Sequence, residues 1–309
     1  MGDPRDRLAS VPHGPLNARR GGQGPTLVVL HGLFGDLANF HSVSLHLARH
    51  LEVCRVDLPG HGRSPTLERL GIEDMARRVR DWLAAEGIDR CHLLGHSLGG
   101  KVAMALAGLE DAPALESLGV VDIAPRHYPP SHAPIIEALL GLDLETLRDR
   151  READRALRAG VPDAGVRAFL LKGLARDEDG EGFRWRFDLE GIARDYALMC
   201  EAPRIDVPIR VPTLFVKGGD SDYLRAEDET AIRAICRDPT LREIAGAGHW
   251  PHAEKPALFT RVVLDFVATA SASPDTRASE NAAEPNAGGD GGSANGPPEH
   301  VSPNAAHGT

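Results

Sequence analysis

Gly95-His96-Ser97-Leu98-Gly99-Gly100-Lys101 is the stretch on which the reading of this chain turns. The apolar run Cys91–Leu94 leads into it, and the helix-forming stretch Lys101–Leu109 leads out. G-x-S-x-G between a strand and a helix is the signature of a nucleophile elbow, a turn so tight that the residues flanking the serine must be almost free of side chain. The turn lifts the Ser97 hydroxyl above the sheet at a helix N-terminus, where the helix dipole favours developing negative charge. A glycine-rich turn with an incidental serine is the competing reading, and the flanking strand and helix count against it. Ser97 is therefore the candidate nucleophile.

Outward from the elbow the chain alternates. Thr26–Leu30 (TLVVL) and Ser117–Ile123 (SLGVVDI) are continuous apolar runs, the mark of parallel strands buried on both faces. Further strands are expected at Glu52–Val56, Pro212–Val216 and Leu241–Ile244, with helices over Asn39–His50, Ile72–Leu83, Ala226–Ile235 and Pro256–Ala268. Such alternation means right-handed crossovers and a mostly parallel sheet with helices on both faces, an α/β fold. It stops over residues 125–204, where helical patterns at Pro134–Leu140, Leu144–Ala159 and Asp163–Leu174 precede the extended Phe183–Phe187 (FRWRF). That block reads as a helical cap inserted into a core made of residues 25–124 and 205–270. Residues 1–24, rich in Arg, Gly and Pro, read as an N-terminal extension with at most a weak strand near Leu16. Residues 271–309 carry five acids against one base, Arg277, and almost no large apolar side chain. Such a stretch cannot bury enough surface to offset its ordering entropy and is expected to be a disordered acidic tail.

The net charge is −10, of which that tail supplies −4. The balance argues against nucleic acid or an anionic membrane as partner. Cys54, Cys91, Cys200 and Cys236 show no C-x-x-C or zinc spacing and read as free thiols. No H-E-x-x-H or comparable ligand spacing occurs, so no metal is expected, and nothing calls for a cofactor. The N-terminus lacks a basic segment followed by an apolar one, and no run approaches about 18 apolar residues. Met1-Gly2 opens like a myristoylation signal, but Asp6 stands where Ser or Thr is needed. The expectation is a soluble chain in a reducing cytoplasm, with its oligomeric state open.

An α/β sheet places ligands beyond the carboxyl ends of its strands, and the polar motifs stand there: Ser97, the His31-Gly32 loop, Asp57, Asp122, the Gly218–Asp222 loop and Gly246-Ala247-Gly248-His249. A serine at its free pKa needs a base within hydrogen-bond reach. His249, in a glycine-rich loop after the last strand, is the candidate; His252, three residues on, reads as a helix-start residue. The acid that would fix the imidazole is Asp122 or Asp222. Asp122 sits in an apolar run where a carboxylate is costly without a partner, whereas Asp222 lies in a Gly/Ser/Asp turn where an acid is ordinary. That asymmetry favours Asp122. Oxyanion donors would be the backbone N–H groups of Leu98, after the serine, and Leu33, in the loop after the early strand. Phe169, Leu170 and Trp185 read first as core and second as lining of a pocket under the cap.

HGLFGD (31–36), VDLPGHGRS (56–64), GHSLGGK (95–101), VDIAP (121–125), FRWRF, GGDSDY and AGAGHWPHAEKP (245–256) occur in one order over about Thr26–Val267. In this the chain resembles bacterial YbfF-type esterases of the α/β-hydrolase superfamily. The resemblance implies an α/β-hydrolase fold with a cap between strands six and seven of that fold, and a triad of Ser97, Asp122 and His249. It further implies a carboxylesterase acting on short acyl esters, or acyl-CoA thioesters, through an acyl-enzyme. Two other readings share the fold: a lyase or C–C bond hydrolase acting on a carboxylate-bearing metabolite, which would want Arg126, Arg184 or Arg186 facing Ser97, and a non-catalytic binding protein.

Overall fold

The computed structural model of the chain describes residues 15–177 and 182–272. The main sheet contains β1 (Ala18–Gly21), β2 (Thr26–Leu30), β3 (Glu52–Val56), β4 (Arg90–His96), β5 (Ala114–Val121), β8 (Thr213–Gly218) and β9 (Thr240–Ile244). Their order is β1-β3-β2-β4-β5-β8-β9, parallel throughout except that β1 runs antiparallel to β3. Alternating side chains supply two cores, one on each face. Leu27, Val29, Leu94, Val121 and Val216 pack with α1 (His41–Leu47) and α10 (Pro256–Ala272), through Val43, Leu47, Phe259 and Val263. Val28, Leu30, Leu93, Val120 and Phe215 face the other way, with α2 (Ile72–Ala85) and α3 (Leu98–Ala107), through Met75, Val79 and Val102. Strand order reverses between β2 and β4: β3 lies on one side of this pair, and β5, β8 and β9 lie on the other. The crevice beyond their carboxyl ends is where such a sheet binds ligands. The His31-Gly32 loop leaves β2 there and Ser97 leaves β4 there.

Between β5 and β8, the fifth and sixth strands of this sheet in chain order, lie α4 (Ala133–Leu140), α5 (Arg150–Leu157), α6 (Ala164–Leu170), the antiparallel hairpin β6 (Leu174–Arg176) and β7 (Phe183–Trp185), and α7 (Leu189–Cys200). Asp149, Asp163 and Asp188 cap the N-termini of α5, α6 and α7 with their side chains. The fully packed Lys101 joins this block to α3: its Nζ donates to the carbonyls of Met199, Cys200 and Glu201 at 3.2, 2.9 and 2.6 Å, which caps the end of α7. Burial pushes its pKa down to about 8.

Several elements differ from the sequence expectation. Residues 15–21 are part of the core rather than an extension, since Leu16 is buried and Ala18–Gly21 pairs with Val53–Val56; the alternation is hidden because β1 is a short, polar edge strand. The helix over Leu144–Ala159 is confined to Arg150–Leu157, starting where Asp149 caps it. The one over Asp163–Leu174 stops at Leu170, because Leu174 pairs with Trp185. The helix α7 carries Leu189, Ile192, Tyr196 and Met199 on its buried side, a helical spacing that the sequence reading passed over. At the C-terminus α10 runs on to Ala272; the rest of the expected acidic tail lies outside the described residues. Among the described residues no helix is long and apolar enough to cross a membrane, and all four cysteines are buried and unpaired.

Candidate active site

Ser97 follows β4 with φ 53° and ψ −120°. Non-glycine residues in such regions cost about 1–3 kcal/mol and persist only where the surroundings over-determine them. Here the Ser97 N–H donates to Val121 C=O at 2.9 Å, extending the β4–β5 ladder by one residue. A Cβ on Gly99 would run into the His31 carbonyl, and one on Gly95 into the Gly99 carbonyl, so the elbow closes only around two bare glycines. Ser97 stands at the N-cap of α3 yet makes no capping hydrogen bond. Its Oγ lies instead 3.1 Å from His249 Nε2.

The other face of that ring completes the connection, with His249 Nδ1 2.7 Å from Asp122 Oδ2. An imidazole donating from Nδ1 presents the Nε2 lone pair to the serine hydroxyl. Asp122 follows β5 as Ser97 follows β4, its N–H donating to Val216 C=O at 2.8 Å. It is fully buried, and the carboxylate is satisfied on every side: Oδ1 accepts Gly218 N–H at 2.9 Å, and Oδ2 also accepts the Ser221 hydroxyl. Asp222 is exposed, and no hydrogen bond joins its carboxylate to His249. Residues 97, 122 and 249 thus meet, and 222 stays outside.

Leu33 and Leu98 flank Ser97, and among the described residues neither N–H donates to a protein acceptor. The loop carrying Leu33 abuts the serine closely: a Cβ on Gly32 would stand 3.2 Å from Ser97 Cβ. His31 braces that loop, donating from Nδ1 to Gly32 C=O at 2.8 Å and accepting Leu58 N–H at Nε2 at 3.0 Å. His96 Nε2 donates to His249 C=O at 2.7 Å, and burial holds its pKa far below the usual imidazole range. His252, in α9 (Pro251–Glu254), stacks on Phe40 at 4.2 Å and borders the same cavity, while His249 is the ring bonded to the serine.

Two residues at the site escaped the sequence reading. Tyr223 stacks on the His249 ring at 3.9 Å and reaches His132 Nε2 with its hydroxyl at 3.2 Å. His132, from the residue before α4, holds Tyr196 OH at 2.7 Å through Nδ1, and burial and then the His249 charge push its pKa down to about 4. GGDSDY contained Tyr223 in plain view, whereas nothing near His132 marks it.

A cavity of about 230 Å³ opens at Ser97, and a recess of about 50 Å³ adjoins it at Ser97, Leu33, His132 and Tyr223. Ile135, Val166, Phe169 and Leu170 close the larger space from above, facing Phe34 and Trp250 of the core. Trp185 is elsewhere, stacked on Phe187 at 5.2 Å. Among the described residues, no arginine or lysine lines the larger cavity. Arg126 pairs with Asp228 at 2.8 Å and lies over Tyr128, and Arg184 and Arg186 line a separate cleft.

Such an elbow, beyond the carboxyl edge of a mostly parallel sheet, is the arrangement of one family, and the chain belongs to it: the alpha/beta hydrolase family matches residues 27–262. Within that family it is a carboxylesterase-type hydrolase, similar to esterases and lipases over most of its length. It is 33% identical to "Esterase YbfF" of Escherichia coli, over 78% of this chain and 92% of that one. It is 35% identical to mouse "sn-1-specific diacylglycerol lipase ABHD11", over 79% of this chain and 81% of that one. Among solved structures, "Marine microorganism esterase" superposes with a TM-score of 0.78 at 33% identity, covering 82% of this chain and 99% of the other.

Proposed function

We propose that Ser97, His249 and Asp122 are the catalytic triad of a serine hydrolase that cleaves short-chain acyl esters through an acyl-enzyme. The observation that carries this reading is the unbroken run of hydrogen-bond distances, 3.1 Å from Ser97 Oγ to His249 Nε2 and 2.7 Å from His249 Nδ1 to Asp122 Oδ2. His249 takes the hydroxyl proton as Ser97 Oγ attacks the ester carbonyl, and the buried Asp122 carboxylate stabilises the imidazolium that forms. The Leu33 and Leu98 N–H groups hold the oxyanion, each such donor being worth about 2.7–4 kcal/mol of barrier. His249 returns its proton to the leaving alcohol or thiol, and a water activated by the same ring releases the acid. A thioester carbonyl is attacked in the same way, so acyl thioesters fall within the proposed substrate class. The apolar chamber under α4 and α6 suits the acyl group, and four reduced, buried thiols suit a cytoplasmic setting.

The lyase reading lacks its cations, since Arg126, Arg184 and Arg186 all lie off the larger cavity. The binding-protein reading leaves the strained, uncapped serine without a purpose. Ser97→Ala is expected to reduce hydrolysis of p-nitrophenyl acetate by 10³-fold or more, on the order of losses at nucleophilic serines elsewhere, and to abolish labelling by a fluorophosphonate probe. Activity retained within about tenfold would overturn the assignment.

A further inference from the structure

Arg184 and Arg186 share their cleft, about 500 Å³ in volume, with Arg19, Arg63, Arg150 and Arg176. The six arise from separate parts of the chain: β1, the loop after β3, the first residue of α5, and the β6–β7 hairpin with its exit. Asp36, Leu37 and Ala38 border the cleft, while Phe34 and Asn39 of the same loop border the Ser97 cavity. In a chain of net charge −10 this is a concentrated patch of the opposite sign.

Among the described residues, the three carboxylates in or beside it, Asp36, Asp57 and Asp177, are fewer than the six guanidiniums. Asp57 is buried and already accepts Asn17 Nδ2, Leu37 N–H and Arg63 N–H at 2.7, 2.7 and 2.9 Å. Asp36 caps the turn at Leu37–Phe40 and lies 3.5 Å from Arg186, and Asp177 faces Arg184 at 3.9 Å. Arg150 and Arg176 are oriented by neutral groups instead. Arg150 donates to the carbonyls of Leu171 and Leu174; Arg176 donates to Arg148 C=O at 2.9 Å and covers the Phe183 ring at 4.5 Å. These contacts fix the guanidiniums, leave their charge intact and use one or two of the five donors each carries. Arg19 and Arg63 make no ion pair among the described residues. The crowding is felt next door, where burial and then the like charge of Arg19 pull the Arg55 guanidinium below its ordinary pKa.

We propose that this cleft is a binding site for a pyrophosphate group, free or carried by a larger molecule. A cleft lined by one sign of charge concentrates counter-ions, and the planar fork of arginine matches phosphate oxygens two at a time. Several guanidiniums lining one cleft call for several negative charges close together, which a diphosphate has and a monocarboxylate lacks. The site is distinct from the Ser97 cavity, and its occupancy is measured without catalysis, so the outcome stands whether or not the triad reading does.

The test is calorimetric titration of the full chain with inorganic pyrophosphate, ADP and citrate at low ionic strength, where screening is weak. Saturable pyrophosphate binding at one site is expected, with ADP tighter than pyrophosphate if a nucleotide carries the group, and not tighter if the anion binds free. Arg19→Ala combined with Arg63→Ala orphans no carboxylate among the described residues and is expected to weaken binding about tenfold or more, while the paired Lys substitutions, which keep the charge but lose the planar fork, recover only part of that loss. Absence of saturable pyrophosphate binding, or binding unchanged in the Ala pair, overturns the proposal. Citrate binding as tightly as pyrophosphate overturns the phosphate assignment.

Discussion

Ser97 and Asp122 each stand one residue beyond a strand of the main sheet, and His249 five residues beyond another. The residues that face them across the cavity, His132, Ile135, Val166 and Phe169, come from the inserted block, on and beside short helices. The first group is placed by backbone: ladder bonds from Ser97 to Val121 and from Asp122 to Val216 run directly into the site. The second is placed by side-chain packing and by isolated tethers such as Lys101 on the end of α7. Two parts of one cavity therefore answer to different forces. Substitutions on the sheet side are expected to act on the chemical step, and those on the inserted side on which acyl group is accepted.

The sharpest way to break that contrast is to move the acid. Asp122→Asn keeps the shape of the site but cannot hold the imidazolium, and is expected to lower kcat for p-nitrophenyl acetate by about 10⁴-fold. Asp222→Asn, at an exposed position, is expected to stay within about twofold of the parent, the range of ordinary surface substitutions. A larger loss at Asp222 would place the acid on a loop and remove the sheet from the explanation.

On the inserted side, Phe169 lies tilted against Trp250 at 5.2 Å between ring centres and lines the chamber. Phe169→Ala should shift preference toward longer acyl chains, raising the hexanoate-to-acetate ratio of kcat/KM about tenfold while acetate turnover changes little. A uniform loss across the chain-length series would show that the inserted helices set the chemistry too.

This contrast also explains what could be read from sequence. The elbow was legible because its requirements are local: two bare glycines, a strand before and a helix after. Asp122 was legible as a costly acid among Val120, Val121 and Ile123, a cost met by Gly218, Ser221 and His249 from far along the chain. Strand β1 was not, since Ala-Arg-Arg-Gly has no apolar alternation and is extended only because Val53–Val56 offers it partners. The hairpin is half legible: FRWRF marks β7, but the local pattern continues a helix through Leu174, whose pairing with Trp185 is non-local. His132 had no local signature at all, its position depending on Tyr196 and Tyr223 in two other elements.

The smallest expected effect tests whether the two parts unfold together. His252 in the core and His132 in the inserted block are both held neutral, by burial first and then by the charge of His249, with pKa values pushed down to about 3 and about 4. In the unfolded chain each returns to its ordinary value of about 6.5. Between those limits the unfolded state binds more protons, so stability is lost as pH falls from about 6.5, and each residue contributes up to about 1.4 kcal/mol per pH unit. His252→Phe keeps an aromatic ring against Phe40 and removes a buried Nδ1 that has no partner, so the slope should flatten without a large loss at neutral pH. His132→Phe should flatten it as well if the inserted block and the sheet unfold as one unit, because linkage counts protons over everything that melts in a transition. Chemical denaturation at a series of pH values, read by tryptophan fluorescence and by circular dichroism, measures both slopes. A slope that responds to His252 alone would mean that the inserted block opens before the sheet does, and that its grip on the acyl chamber is set by a local equilibrium rather than by the stability of the fold.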